Sequence, residues 1–403
     1  MSQTPCILFT AFEPSGDEHA APVIGELRRR RPDLPVYALG GPKMAEAGAE
    51  LIETTTDKAT MLAGSFAQAW AHHRRLGRLR KWLADHPVAV HVPTDSPAAN
   101  WSICRLVKRT WGDSGARVVH LVAPQVWAWA TWRVRRLRKW SDLVLCILPF
   151  EPQWFAKHDV PSRFVGHPMF DEELDLEALG RAAANFPADH PRIALLPGSR
   201  RGEVKHNWPL MEAAFHDLVQ RYPHAQGLIA AADERMAAVV REQSPALAAN
   251  LQARVGETEA ILHWSDVVIT VSGTATLHVA RHHKPMVILF VASAITWNLI
   301  GRFLVSTRTF TLPNLLSSGG PRPDDSGHVV KEFAPFFGGV GGIAPIVEEV
   351  ASLIDDEAKR QNQIRALIRV MAQFDEHRAA PEAASAILQV LDGTFGPGPT
   401  PAT

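Results

Sequence analysis

The feature that most constrains this chain is a rhythm in which short, unbroken apolar runs alternate with longer amphipathic stretches. The runs fall at 6–11 (CILFTA), 35–39, 88–92, 117–122 and 142–147, with amphipathic stretches at 17–30, 60–85 and 97–110 between them. Strand, helix, strand at this spacing predicts βαβ units and a parallel sheet. Strands of such a sheet are covered on both faces, which is why the runs are apolar throughout rather than alternating. After an acidic and then Ala-rich stretch at 168–190 the rhythm resumes. Strands are expected at 192–197, 225–231, 266–271 and 285–291, and helices at 203–221, 257–264 and 274–283. Helices alone fill 345–392. A length of 403 residues suits two domains. The predicted class is α/β, with two Rossmann-like parallel-sheet domains facing a cleft. The expected division is 1–168, 169–365, C-terminal helices at 366–392 packing back on the first domain, and a disordered tail at 393–403.

Lys+Arg and Asp+Glu both number 42, so bulk charge points to no polyanionic partner. No nucleic-acid motif is present either, and no nucleic-acid partner is expected. Cys6, Cys104 and Cys146 form no C-x-x-C pair and read as buried thiols of a reducing compartment. The N-terminus lacks a basic segment, and its apolar run is too short for a signal peptide. The longest uncharged stretch, Pro285–Gly301, falls short of the ~20 residues of a spanning helix, so no transmembrane segment is predicted.

In open parallel sheets, ligands bind beyond the carboxyl ends of the strands, so the loops after the apolar runs carry the candidate chemistry. After the first strand stand Glu13, Ser15, Gly16 and Asp17, read either as a cap and tight turn or as a ligand loop. This is not G-x-G-x-x-G, and a nicotinamide or flavin site is unsupported. Gly40-Gly41-Pro42 follows the second strand and reads as a plain turn or as a close backbone approach to ligand. Asp95, at the end of VAVHV, is a helix cap or a general base at the cleft. Gln125 and Trp127 lie in APQVWAW, whose aromatics either pack the sheet top or wall a sugar or acyl pocket. In the second half, Ser199 and Arg200 open a helix with free amides and a guanidinium, chemistry suited to phosphate. Ser272-Gly273-Thr274 opens another helix and suits a diphosphate or a simple N-cap. This asymmetry suggests a nucleotide donor on the C-terminal half and an acceptor activated from the N-terminal half.

The blocks EPSGD, GGPKM, D-S-P-x-x-N, APQVWAW, LPFE, FVGHP, LLPGSR, SGTATL and LPNLL, in this order over roughly 6–316, resemble the signature blocks of the lipid-A-disaccharide synthase family. The resemblance implies a GT-B fold, inverting transfer and no metal or other cofactor. It implies movement of 2,3-diacylglucosamine from UDP to 2,3-diacylglucosamine 1-phosphate, giving a β-1,6 disaccharide and UDP. It also implies Asp95 as general base and Arg200 as the essential arginine. Ser272, Gly273 and Thr274 would lie at the donor phosphates, with Asn314 matching the family's PNLL asparagine and Glu332 a nucleotide-handling position. The chain departs from the family at Phe12, Ala98, His278 and Pro335, and in an insertion between Leu316 and Glu332. Other enzymes of the same architecture, such as a UDP-sugar epimerase, and a non-catalytic nucleotide-sugar or lipid binder are the competing readings.

A lipid acceptor requires access to a bilayer. Residues 70–82 (WAHHRRLGRLRKW) and 127–140 (WAWATWRVRRLRKW) mix Trp, Leu and Arg with no acid, suiting either an anionic membrane surface or ordinary helix packing. The corresponding location is cytoplasmic and peripheral on the inner membrane. His278 and His282 have i,i+4 spacing, but no carboxylate is close in sequence, and they read as solvated or core histidines rather than metal ligands.

Overall fold

The structure is a computed structural model that describes residues 5–56, 65–95, 97–128, 130–289, 309, 311–322, 324–333 and 342–395. The chain divides into two compact units, Met1–Glu172 with Phe374–Thr403, and Glu173–Gln373. In the first unit, β1 (Cys6–Thr10), β2 (Val36–Gly40), β3 (Glu50–Thr54), β4 (Val88–Pro93), β5 (Arg117–Leu121), β6 (Leu143–Cys146) and β7 (Ser162–Phe164) form one sheet. Its order is β3-β2-β1-β4-β5-β6-β7, and every pairing is parallel. Helices α1 (Pro14–Arg30), α2 (Pro42–Glu46), α3 (Ser65–Asp85), α4 (Pro97–Trp111), α5 (Val134–Trp140) and α6 (Glu151–Ala156) connect the strands.

Alternation along β1 sets the two layers. Ile7 and Phe9 face Ala20, Val23, Ile24 and Leu27 of α1, an i, i+3, i+4, i+7 stripe. Cys6 and Leu8 face Leu79 and Leu83 of α3 with Ile103 and Val107 of α4.

In the second unit, β8 (Arg192–Leu196), β9 (Gln226–Ala231), β10 (Leu251–Val255), β11 (Val267–Val271), β12 (Met286–Leu289) and β13 (Glu332–Phe333) pair in the order β10-β9-β8-β11-β12-β13, again all parallel. Its helices among the described residues are α7 (Leu176–Ala183), α8 (Arg201–Arg221), α9 (Glu234–Gln243), α10 (Thr258–Trp264), α11 (Ala275–Arg281), α12 (Leu312–Ser317), α13 (Ala344–Asp355) and α14 (Glu357–Met371). Trp208, Met211 and Phe215 of α8 seal this core against Ile193, Leu195, Ile229 and Ile269.

The last helix, α15 (Ala379–Leu391), belongs to the first unit. Its Ala380, Ala383, Ala384 and Ile387 join the cluster of α1 and β1. Asp171 caps it, accepting from the Ala379 and Ala380 amides at 2.5 and 2.9 Å. The second unit runs to Gln373, so α14 lies wholly within it and is not divided at 365. The expected strand end at 290–291, Pro335 and the tail from 396 fall outside the described residues. The strands not expected from sequence are β3, β7, β10 and β13, which are the four edge strands of the two sheets.

Strand order reverses direction beside β1 and β4 in the first sheet and beside β8 and β11 in the second. Helices leave opposite faces at such points, and a crevice opens at the carboxyl ends of the strands. Ser15 lies in the first turn of the helix that follows β1, and the loops after β4, β8 and β11 carry Asp95, Ser199 and Ser272.

Candidate active site

In the first unit, the crevice is closed down by a glycine. A Cβ on Gly16 would lie 2.9 Å from the Ala11 Cβ and 3.3 Å from the Thr94 carbonyl oxygen, so the first turn of α1 rests directly on the end of β4. That contact brings together two residues far apart in sequence: Ser15 Oγ donates to Asp95 Oδ2 at 2.9 Å. Asp95 has φ +50°, a left-handed conformation that costs a non-glycine residue about 1–3 kcal/mol. It persists because the Asp95 amide donates to the Leu121 carbonyl at 3.2 Å and the Asp95 carbonyl accepts from Asn100 Nδ2 at 3.0 Å. Burial disfavours the charged form of the histidines of this region, of which His120 and His19 feel the Asp95 charge. Burial pushes His120 down to about 4, with the Asp95 charge opposing it, and burial pushes His91 down to about 3. His19 is also lowered by burial, against the pull of Asp95 and Glu18.

The other candidates of this unit are placed differently. The helix begins at Pro14, so Ser15, Gly16 and Asp17 lie inside its first turn rather than capping it, and Glu13 stands exposed before it. The buried Asp17 carboxylate accepts from the amides of Gly41, Lys43 and Met44 at 3.1, 3.1 and 3.0 Å, tying α1 to the start of α2. Gly41 is required by this clasp, because a Cβ there would fall 2.3 Å from both Asp17 Oδ2 and Thr56 Oγ1. Trp127 is buried, and its indole N–H donates to Glu151 Oε1 at 3.0 Å, while Gln125 is exposed in the same loop. Ser15 and Asp95 thus meet, while Asp17, Gly41 and Trp127 support the surrounding loops.

In the second unit, the helix start at Ser199 and Arg200 already holds an anion, the chain's own Glu203. Its Oε2 accepts from the Ser199 and Arg200 amides at 3.2 and 3.3 Å, and its Oε1 pairs with Arg200 Nη1 at 3.0 Å. This is a helix-start carboxylate of the capping-box kind, and the Arg200 side chain remains 81% exposed. Gly273 has φ +135°, with open space where a Cβ would point, and Ser272 and Thr274 flank it at the mouth of α11. Asn314 and Glu332 come together. Asn314 Nδ2 donates to Glu332 Oε1 at 2.6 Å, and Asn314 Oδ1 accepts the Val329 and Val330 amides at 2.8 and 3.0 Å. Thr311 Oγ1 donates to the same Glu332 oxygen at 2.6 Å, so the pair closes the inserted segment onto β13.

The expectation for His278 and His282 is corrected by the structure, because a carboxylate does stand beside them. Glu259 Oε1 lies 2.5 Å from His278 Nδ1, and its Oε2 lies 2.6 Å from His282 Nε2. Burial raises the Glu259 carboxyl, but the two imidazoles outweigh it and hold it at about 2. Glu259 is the residue that sequence reading missed. It is 19 positions from His278, and the only local hint is the histidine standing where the family has glutamate. Among the described residues, no group of three or more His, Cys, Asp or Glu side chains is arranged to hold a metal ion.

The basic-aromatic segments are exposed in part on the first unit, with Leu79, Trp127, Val134 and Leu137 buried in its core. Trp70 and Trp132 are 63% and 57% exposed. Arg74 lies 4.6 Å over Trp70, and Arg136 lies 4.7 Å from the Trp101 ring and 5.6 Å from that of Trp132. No described helix is long and apolar enough to cross a membrane.

Two Rossmann-like parallel-sheet units, each with a switch point, define an α/β protein of the GT-B fold. The solved glycotransferase of kitacinnamycin superposes with a TM-score of 0.59 at 15% identity, over 96% of this chain and 99% of that one. A family model described as lipid-A-disaccharide synthetase matches residues 7–324. The lipid-A-disaccharide synthase of Anaeromyxobacter sp. (strain K) is 32% identical over 397 residues, covering 96% of this chain and 98% of its own. That of Alcanivorax borkumensis is 35% identical over 324 residues, covering 77% and 81%. The chain belongs to the lipid-A-disaccharide synthase family and is a glycosyltransferase.

Proposed function

We propose that the chain transfers 2,3-diacylglucosamine from its UDP conjugate to the 6-hydroxyl of 2,3-diacylglucosamine 1-phosphate with inversion. The acceptor proton passes to Asp95, the acceptor oxygen bonds to the donor anomeric carbon, and the bond from that carbon to UDP breaks with its electron pair leaving on the diphosphate. The observation that carries this reading is the Ser15–Asp95 contact at the switch point of the first sheet. One carboxylate oxygen is held by a hydroxyl, and the group stands at a strand end within the field of the buried His120 imidazole, whose charged form burial disfavours. A positioned general base is worth about 10²–10⁴-fold.

Arg200 and the Ser199 turn supply charge for the leaving diphosphate, which competes with Glu203 for the same amides. Gly273 and its neighbours offer a second approach to the phosphates. Glu13, Gln125, Asn314 and Glu332 are assigned to the substrate-binding surroundings. Asp17, Gly41 and Trp127 act by shaping the loops that carry them. The exposed Trp70, Trp132 and Arg136 surface supports peripheral docking on an anionic bilayer, from which both lipid substrates are drawn at the cytoplasmic face of the inner membrane.

Asparagine tolerates left-handed backbone, so Asp95→Asn removes the base without adding strain. With both diacylated substrates, disaccharide formation and UDP release by this variant should fall by at least about 10²-fold. Turnover close to that of the unmodified protein would sink the assignment of the base.

A further inference from the structure

Three fully buried polar side chains from three elements are linked in a chain, His91 within β4 to Thr10 at the end of β1 to Asn100 in α4, and only Asn100 reaches the backbone of Asp95. Their hydrogen bonds have only one consistent direction. Thr10 Oγ1 donates its single proton to Asn100 Oδ1 at 2.6 Å. The 2.9 Å contact between Thr10 Oγ1 and His91 Nε2 must therefore have the ring N–H donating. That fixes the neutral Nε2–H tautomer of His91, and its Nδ1 is left buried with no hydrogen-bond partner. With its oxygen facing Thr10, Asn100 points its amide nitrogen at the Asp95 carbonyl at 3.0 Å and the Thr94 carbonyl at 3.4 Å.

Three aliphatic residues would fill this space without leaving a ring nitrogen unsatisfied, so the network opposes simple packing. It ends on the strained residue whose φ is +50°. We propose that His91, Thr10 and Asn100 form a buried positioning relay that holds Asp95 left-handed and so aims its carboxylate, with Ser15, at the acceptor hydroxyl. This rests on the reading of Asp95 as the base. None of the three touches substrate. Each acts through the next, and the Asn100 amide bond to the Asp95 carbonyl is the last step.

The test is steady-state kinetics of the full-length protein with both diacylated substrates. Thr10→Val removes the hydroxyl at nearly constant volume, and Thr10→Ser retains it. The relay predicts that Thr10→Val loses about ten-fold or more in kcat, since a base misplaced by a fraction of an ångström loses its advantage. KM for donor and acceptor should stay within about two-fold, and Thr10→Ser should recover kcat to within about three-fold of the unmodified protein. A merely structural role would instead lower the melting temperature without separating kcat from KM. Should Thr10→Val fail to fold, Thr10→Ala, which leaves only a small cavity, takes its place with the same expectation. If Asp95→Asn is inactive while the Thr10 variants turn over normally, the relay is overturned and the base stands. If Asp95→Asn is itself active, both fall.

Discussion

Replacing Glu151 with glutamine tests how a buried carboxyl in the first unit sets its pH response. Glu151 opens α6 with no exposed surface, accepting the Trp127 indole N–H at 3.0 Å and the Leu148 amide at 3.1 Å. Burial dominates over these donors and raises its carboxyl from 4.5 to about 7. Because the folded value lies above the unfolded one, the unfolded chain releases this proton first as pH rises. The group therefore costs no stability below about pH 4.5, costs progressively more up to about pH 7, and costs a constant amount above that. At 1.36 kcal/mol per pH unit, the full cost is about 3 kcal/mol. Glutamine cannot ionise, so Glu151→Gln removes this slope. Its amide oxygen can still accept from Trp127, but its NH₂ then faces the Leu148 amide, an unmatched donor costing about 1–3 kcal/mol at every pH. Urea unfolding followed by tryptophan fluorescence at about pH 5, 6, 7 and 8 separates the two effects. The variant should be the less stable protein at about pH 5 and gain about 2–3 kcal/mol on the parent by about pH 8. A difference constant to about 0.5 kcal/mol over that range would refute the reasoning.

Glu259 titrates in the opposite sense. Its folded value of about 2 lies below 4.5, so its stabilisation is present above about pH 4.5 and is lost as pH falls toward about 2. Glu259→Gln should lower the melting temperature near neutral pH, with the deficit shrinking toward about pH 3. A deficit that does not change with pH would remove the imidazole pairing as its cause. On the outer surface, the combined Trp70→Ala, Trp132→Ala and Arg136→Gln variant should bind phosphatidylglycerol vesicles at least about ten-fold more weakly in flotation. Unchanged flotation would exclude this face from membrane docking.

What could be read from the sequence divides by burial. The central strands, such as CILFT and VVITV, are covered on both faces and announce themselves as apolar runs. The edge strands do not. Glu50–Thr54, Ser162–Phe164 and Glu332–Phe333 contain no fully buried residue, so no run marks them. In the candidate site, loop positions follow from strand positions, and Ser15, Asp95, Ser199 and Ser272 all fall beside switch points. Pairing between loops is a tertiary property. Nothing local says that Ser15 bonds Asp95 across 80 residues, or that Glu259 bridges His278 and His282.

Which polar groups are already spent is also hidden from local reading, unless the spending is itself local. The helix start at Ser199 and Arg200 illustrates the exception. A glutamate three positions beyond an N-cap is a readable signal, and Glu203 does occupy the two amides that a phosphate would seek. Asp17 illustrates the rule, since its three amide partners lie 24–27 residues away and become visible only when α2 folds against α1. Ligand assignments from sequence are therefore safest for side chains whose local neighbours cannot satisfy them. Asp95 stands at the switch point of the first sheet beside Ser15, whereas the two oxygens of Asp17 are engaged by three amides that tie α1 to α2, and this placement makes Asp95 the stronger candidate for chemistry.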